Sequence, residues 1–205
     1  MIKIESKKSK IENVLKRYPG GIIADVTSRA KDGLVKLSPF YPHGGIPVPF
    51  SEGYAGASVE GIWQGLKVFE HEDVDPSAFQ ITSMKGIKRT VRKHGRVLGH
   101  RKGVHGTELL GYVEAKHQIY IPTYRWVLEN KVKDIVDRLR ESSKTKTIVL
   151  LDYNTSEDVD SPIAPLSHAY LLKAYVEGLY PFSDVKPTTQ ENIKNQNNIQ
   201  MEFPF

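Results

Sequence analysis

Glu60, Trp63, Gln64 and Lys67 recur at spacings of three and four residues within Ser58-Val-Glu-Gly-Ile-Trp-Gln-Gly-Leu-Lys-Val-Phe-Glu70. On a helix this spacing sets a carboxylate, an indole, an amide and an ammonium on one face. That combination suits a polar ligand that carries a ring. Glu60 falls in the first turn, where the helix dipole favours an ionised carboxylate. The same residues equally describe a capped amphipathic helix with a Glu60–Gln64–Lys67 network on its surface. Two further positions could carry chemistry. Phe40 and Tyr41 lie between Pro39 and Pro42, so their rings sit on a stiffened segment that either walls a ligand site or plugs the core. Asp152 and Tyr153 end an apolar run, and open sheets commonly place functional groups at strand ends.

Charge is unevenly distributed. The chain has a net charge of +5. Residues 85–102 hold Lys85, Lys88, Arg89, Arg92, Lys93, Arg96, Arg101 and Lys102 and no acid, so the remainder is net acidic. A segment of one sign points either to a solvated face or to a local phosphate partner, a nucleotide or a polynucleotide backbone. Its glycines permit close backbone approach to an anion, but no Gly-Lys-Ser/Thr phosphate loop is present.

The elements that must position these groups follow from periodicity. Ser58 is a good N-cap, and Val59, Ile62, Leu66 and Phe69 form a buried stripe, so a helix is expected from residue 58 to 70. Earlier, Ile11, Val14 and Leu15 give a short helix with those three inward. Residues 21–27 form a strand and residues 34–37 a second short one. Residues 38–50 are a proline-rich loop. Pro122 is expected to start a fresh element, followed by one long helix over residues 124–140 with Trp126 in its apolar stripe. Glu129 with Lys133 and Asp134 with Arg138 are spaced for ion pairs there. The run Thr145-Lys-Thr-Ile-Val-Leu-Leu-Asp152 is a central strand buried on both faces. Asn154 to Pro165 is an acidic loop, and a helix over residues 166–177 ends at Gly178.

These elements predict an α+β fold: a single compact domain at residues 1–186, with several helices packed on a small mixed sheet. A polar, Asn/Gln-rich tail at residues 187–205 is expected to be disordered or a loose strap. The 205 residues contain no cysteine. This excludes disulfides, thiolate metal sites and cysteine nucleophiles, and fits a reducing cytoplasm. Neither a signal peptide nor a run of roughly 18 apolar residues is present, so no membrane association is expected. The seven histidines lack metal-ligand spacing, and neither metal nor cofactor is expected. Ser167 and His168 are adjacent in sequence, which aims their side chains apart. With no Gly-x-Ser-x-Gly elbow, Ser167 reads as a helix-start residue and not a nucleophile.

Ser38-Pro-Phe-Tyr-Pro42, then Ser58-Val59-Glu60, then Gln64 and Lys67, resemble the opening of the NADAR family, also called YbiA-like proteins. The resemblance covers residues 37–70 well and is loose beyond them. The sequence departs from the family pattern in three places: Gly61 stands where the family has His, Pro39 where it has Asn, and the closing Asp-x-x-Trp-Gly is absent. Asp152, Asp158 and Asp160 are the nearby substitutes.

The resemblance implies a metal-independent N-glycosidase that hydrolyses a ribose–nitrogen bond in an ADP-ribosylated or phosphoribosylated substrate. Glu60 would stabilise the oxocarbenium-like sugar or activate water, with Asp152 as a second catalytic acid. Phe40, Tyr41, Trp63 and Trp126 would line the substrate, Gln64 would bond ribose hydroxyls, and Lys67, Lys88, Arg89 and Arg92 would hold phosphates. The other function class is a non-catalytic nucleotide- or nucleic-acid-binding protein that keeps the site without the chemistry.

Overall fold

In a computed structural model, which describes residues 1–180, the first element is a strand absent from the expected elements, β1 (Ile2–Ser6). α1 (Ile11–Arg17) and β2 (Ile22–Asp25) follow. Val14 is buried, but Ile11 and Leu15 are exposed, contrary to the expected three-residue stripe. β1 and β2 do not pair with each other. Each pairs in parallel with β8 (Ile148–Asp152), in the order β1-β8-β2. All five β8 residues are buried. Ile148 and Leu150 enter the main core, while Val149 and Leu151 pack on Val14 beneath α1. The continuous apolar run is thus explained by cover on both faces.

The next segment, expected as a strand, is a 3-10 turn over Gly33–Leu37. The Asp32 carboxylate accepts from the Leu34 N–H at 2.9 Å and caps that turn. The proline-rich loop carries β3 (Ile46–Pro47), which pairs antiparallel with β4 (Ala55–Gly56). Then come α2 (Val59–Gly65), β5 (Lys67–Phe69), a 3-10 turn at Pro76–Gln80, α3 (Val91–His94), β6 (Val97–Arg101) and β7 (Leu109–Leu110). β5, β6 and β7 form an antiparallel sheet in that order. The strands are therefore divided among a parallel sheet and two antiparallel ones, inside the expected α+β architecture.

α4 (Tyr112–Ala115) widens into a π turn over Lys116–Tyr120 and runs on as α5 (Ile121–Asn130). Pro122 does not begin a separate element: the chain passes it inside a helix by widening in the turn before it. The long helix expected next is broken between α5 and α6 (Lys133–Thr145). The Asn130 amide donates to the Trp126 carbonyl at 2.8 Å, a local bond that competes with helix continuation. In consequence Glu129 pairs with Arg125 and not with Lys133, while the Asp134–Arg138 pair forms. α7 (His168–Glu177) starts at Ser167 and ends at Gly178, whose φ of 76° suits the left-handed cap.

α2, α5 and α7 meet in one core containing Ile62, Leu66, Tyr124, Leu128, Leu171 and Leu172. The Tyr124 hydroxyl is satisfied by the Leu37 carbonyl at 2.7 Å. Among the described residues no helix is long and apolar enough to cross a membrane. The expected tail lies outside the described residues.

Candidate functional site

α2 is built as predicted at its start and differently at its end. Ser58 Oγ accepts from the Gly61 N–H at 3.0 Å. The Glu60 N–H donates to the Pro39 carbonyl at 2.9 Å, which fastens the Pro-Phe-Tyr-Pro loop to the first turn. The helix stops at Gly65, and Lys67 to Phe69 turn into β5, so Lys67 reaches the site from a strand and not from a fourth helical position.

Every residue of α2 is buried, which rules out the surface-network reading of Glu60 and Gln64. Two glycines make this burial possible. A Cβ at Gly61 would stand 2.8 Å from the Ala78 carbonyl oxygen, and one at Gly65 would stand 2.2 Å from the Phe79 ring. The 3-10 turn at residues 76–80 lies directly on the helix, and a residue with a side chain at position 61 has no room there.

Glu60 is 7% exposed and accepts from Gln64 Nε2 at 2.9 Å. Gln64 Oε1 in turn accepts from the Arg89 N–H at 3.1 Å. The Lys67 amine is depressed to about 8: burial dominates and the Lys88 and Arg89 charges add to it, while Glu60 opposes them. Burial, with Glu60 adding to it, raises the Tyr112 phenol to about 12. Tyr120, on the π turn, is pushed further up by burial, then by the charges of Glu60 and Asp152 among others. The site is therefore an enclosed carboxylate with an amide, an amine of lowered basicity and two phenols that remain protonated. Such a group can stabilise positive charge developing on a ligand while donating hydrogen bonds around it.

Other residues expected here are placed as follows. The Arg89 guanidinium is turned inward, donating to the carbonyls of Gln64 at 3.0 Å, Lys67 at 2.6 Å and Asp73 at 2.8 Å. It closes the C-terminal end of α2, a structural task. Lys88 is exposed and lies over the half-buried Phe40 ring at 5.8 Å. Arg92 is exposed on α3. Arg96, Arg101 and Lys102 are paired with Glu70, Asp73 and Glu108. Lys85, Lys88, Arg92 and Lys93 have no carboxylate partner among the described residues. Tyr41 is half-buried, its ring 4.7 Å from that of His43. Trp63 has one face against His100, with ring centroids 3.7 Å apart, and meets Tyr112 and Tyr120 edge-on. It is a wall of the enclosure more than a free stacking surface. Trp126 lies under Lys131 at 5.6 Å on α5, apart from these contacts.

His100 is a site residue that sequence spacing does not reveal, because it arrives through strand pairing, directly opposite Lys67 in the β5–β6 register. It is 1% exposed, and neither ring nitrogen has a partner among the described residues. Burial, then the charges of Lys67 and Arg89, hold it neutral, well below the ordinary histidine range. An orphaned donor or acceptor costs about 1–3 kcal/mol.

Asp152 lies at the C-terminal end of β8 and is committed to a different cluster. Its carboxylate accepts from Ser167 Oγ at 2.7 Å, His168 Nδ1 at 3.0 Å and the Tyr153 N–H at 2.7 Å. His168 Nε2 faces the Val26 carbonyl at 2.9 Å. Both partners of the ring accept only, so His168 must carry both protons and is an imidazolium. Burial opposes its charge, but Asp152 outweighs this and raises it; burial likewise opposes the Asp152 charge, and His168 and Ser167 outweigh that and hold the carboxyl low. Ser167 is indeed the N-cap, accepting from the Tyr170 N–H at 3.3 Å.

A cavity of about 590 Å³ opens beside Arg101 and His105, and one of about 320 Å³ lies between Leu34 and Leu139. Glu60 lines neither. The partly exposed members of its cluster are Lys67, Tyr112 and Tyr120. Among the described residues no three His, Asp or Glu side chains converge as metal ligands.

The model of one family, described as Family of unknown function (DUF6939), matches residues 6–172. No curated protein and no solved structure matches the chain.

Proposed function

The chain belongs to the DUF6939 family, and from its own site we propose that it is a metal-independent N-glycosidase, a divergent relative of the NADAR proteins. It hydrolyses the ribose–nitrogen bond of an ADP-ribosylated or phosphoribosylated substrate. The observation that carries this reading is the enclosed Glu60 carboxylate with Gln64 bonded to it and the Lys67 amine close by. Cleavage of the C1′–N bond leaves positive charge on the sugar, which Glu60 stabilises. Water then adds its hydroxyl to C1′ while its proton goes to the departing nitrogen. Tyr112 and Tyr120, held protonated, donate hydrogen bonds near the reacting centre. Lys67 holds the phosphate next to the sugar, and Lys88, Lys85, Arg92 and Lys93 extend that positive surface outward, toward a nucleic-acid-linked substrate.

The test is turnover of an ADP-ribosylated nucleobase and of a phosphoribosylated amine by Glu60→Gln. The amide preserves volume and the Gln64 bond but removes the charge. Release of base or amine is expected to fall by roughly 100-fold or more; an unchanged rate would falsify the reading.

A second reading, a binder without chemistry, is favoured by one observation: the α2–turn contact at Gly61 leaves no room for the histidine of the NADAR pattern. It predicts salt-sensitive binding of ADP-ribose or DNA with no product formed. A binding titration in rising salt, run beside the hydrolysis assay, separates the two.

A further inference from the structure

The geometry points to a second binding site, in the cavity beside Arg101 and His105, for a small molecule that carries an oxyanion head on an apolar body. It is separate from the Glu60 site and does not depend on what that site does.

Strand pairing sets it apart. His100 and Leu110 stand opposite each other on β6 and β7, and both are buried. Their neighbours Arg101 and Leu109 form the next pair and project to the other face, where Leu109 is exposed. There Arg101 lines the cavity of about 590 Å³, together with Asp73, Val74, Val104 and His105. That volume falls within the roughly 300–1,000 Å³ of small-molecule sites.

Both walls are held in shape before any ligand arrives. One is the loop between β6 and β7. Its Val104 N–H donates to Ser51 Oγ at 2.9 Å, and its Gly106 N–H to the Gly103 carbonyl at 3.1 Å. A Cβ at Gly103 would stand 2.2 Å from the Phe50 carbonyl oxygen, and one at Gly106 2.0 Å from that of Lys102. The loop therefore closes this tightly only with glycine at both positions. The other wall is the segment 73–76. The Asp73 carbonyl accepts from Arg89 at 2.8 Å, and the Asp75 N–H donates to the Gly65 carbonyl at 2.8 Å. Fixed walls spare a ligand the cost of ordering them.

Two donors meet in this cavity, each oriented by its own partner. Arg101 Nη2 donates to Asp73 Oδ2 at 2.8 Å, and Nη1 to the Thr107 carbonyl at 3.2 Å. A guanidinium has five N–H groups, and the other three of Arg101 have no partner among the described residues. The Thr107 bond sets the guanidinium against the loop that carries His105. His105 Nε2 is 3.1 Å from the Tyr54 hydroxyl, and Nδ1 has no partner among the described residues. An anion selects the arrangement in which Tyr54 donates to Nε2 and the ring proton sits on Nδ1.

The class of ligand follows from these groups. A guanidinium that cannot lose its charge repels a cation. A carboxylate or phosphate accepts two N–H bonds of the fork at once. Asp73, the one carboxylate of the lining, is committed: Oδ1 accepts from the Val74 N–H at 2.8 Å and Oδ2 from Arg101. Arg89 also stands near enough to act on it. Asp73 thus orients Arg101 as Tyr54 orients His105. Val74, Pro76 and Val104 supply the surface for the apolar body.

The experiment titrates phenyl phosphate, benzoate and benzylamine into the full chain and follows its amide ¹H–¹⁵N spectrum. The two anions are expected to move the amides of residues 104–107, and benzylamine to leave them in place. Arg101→Gln should weaken anion binding about tenfold or more. Arg101→Lys, which keeps the charge without the fork, should weaken benzoate binding in part. His105→Gln, at an exposed position, should cost about threefold. Tyr54→Phe should cost about as much although its hydroxyl does not touch the ligand, and combining it with His105→Gln should add little. Should Arg101→Gln unfold, Arg101→Lys and His105→Gln decide. Four results overturn the inference: no shift at residues 104–107 (a solvent-filled cleft only), anion-induced shifts confined to residues 60–67, benzylamine binding as well as the anions do, or equal affinity in wild type, Arg101→Lys and His105→Gln. Tighter binding of benzoate or of phenyl phosphate identifies the head as carboxylate or phosphate and upholds the inference either way.

Discussion

At the scale of single residues, Lys67 is the group whose charge is easiest to change. Its amine titrates at about 8, so it is mostly an ammonium below that pH and loses its charge above it. If it holds a phosphate beside Glu60, affinity for ADP-ribose falls as pH rises through about 8. Lys67→Arg, whose side chain stays charged, removes that fall. Isothermal titration across pH 6.5–9.5 on the order of half-unit steps checks this, and a flat wild-type profile would count against a phosphate role. Four cations of the segment 85–102 that have no carboxylate partner among the described residues make a separate prediction. Replacing Lys85, Lys88, Arg92 and Lys93 by Ser should flatten the dependence of log K on log salt for a DNA or ADP-ribosyl-DNA ligand, by about 0.9 for each phosphate no longer neutralised. Arg89→Ser should instead lower stability, because its guanidinium is spent on three backbone carbonyls. The residue types were legible in the sequence: Glu60, Gln64 and Lys67 do gather. Which cations are free was not, because that depends on acids such as Glu70, Asp73 and Glu108 brought opposite by strand pairing.

At the scale of elements, the α2 contact with the turn at residues 76–80 is the tightest in the site. Gly61→Ala puts a methyl 2.8 Å from a backbone oxygen, which the helix can relieve only by lifting off the turn. Overpacking of this kind costs about 1–3 kcal/mol. The urea midpoint of Gly61→Ala should drop accordingly, whereas Gly33→Ala, where nothing lies within 4 Å, should change it little. Ser58 announced the start of α2 because a cap is a local signal. The end was illegible, since Lys67 to Phe69 continue the helical spacing and become a strand only through pairing with β6. The 3-10 turn after Asp32 and the passage through Pro122 were missed for the same kind of reason: a short apolar run and a proline each have several local solutions, and tertiary contacts select among them.

At the scale of the whole molecule, the Asp152–His168 pair joins β8, the start of α7 and the end of β2 through Val26. The His168 pKa is raised in the fold, so its contribution is complete below about 6.5 and is lost as pH rises through the folded value. The Asp152 pKa is lowered, so its contribution is complete above about 3.9 and is lost as pH falls through the folded value. The pair therefore stabilises most between those limits. Asp152→Asn should lower stability by about 3 kcal/mol at pH 5–6 and flatten the alkaline side of the stability profile, measured by urea unfolding at several pH values. A mutant profile parallel to wild type would refute the coupling. β8 was legible at this scale because five consecutive apolar-to-acidic residues of a buried run leave few alternatives, whereas β1 was missed although Ile2-Lys-Ile-Glu alternates apolar and polar: so short a stretch becomes a strand only beside β8. That partnership bears on how the protein is made. Ile2 and Ile22 both wait for Ile148, so on the ribosome the first two strands emerge with nothing to pair with until β8 follows. The parallel sheet can close only once β8 has been made, a distant pairing of the kind that folds slowly. Nascent chains truncated before residue 148 should be held by chaperones or degraded, and the step from 146 to 160 residues is where protease resistance should first appear.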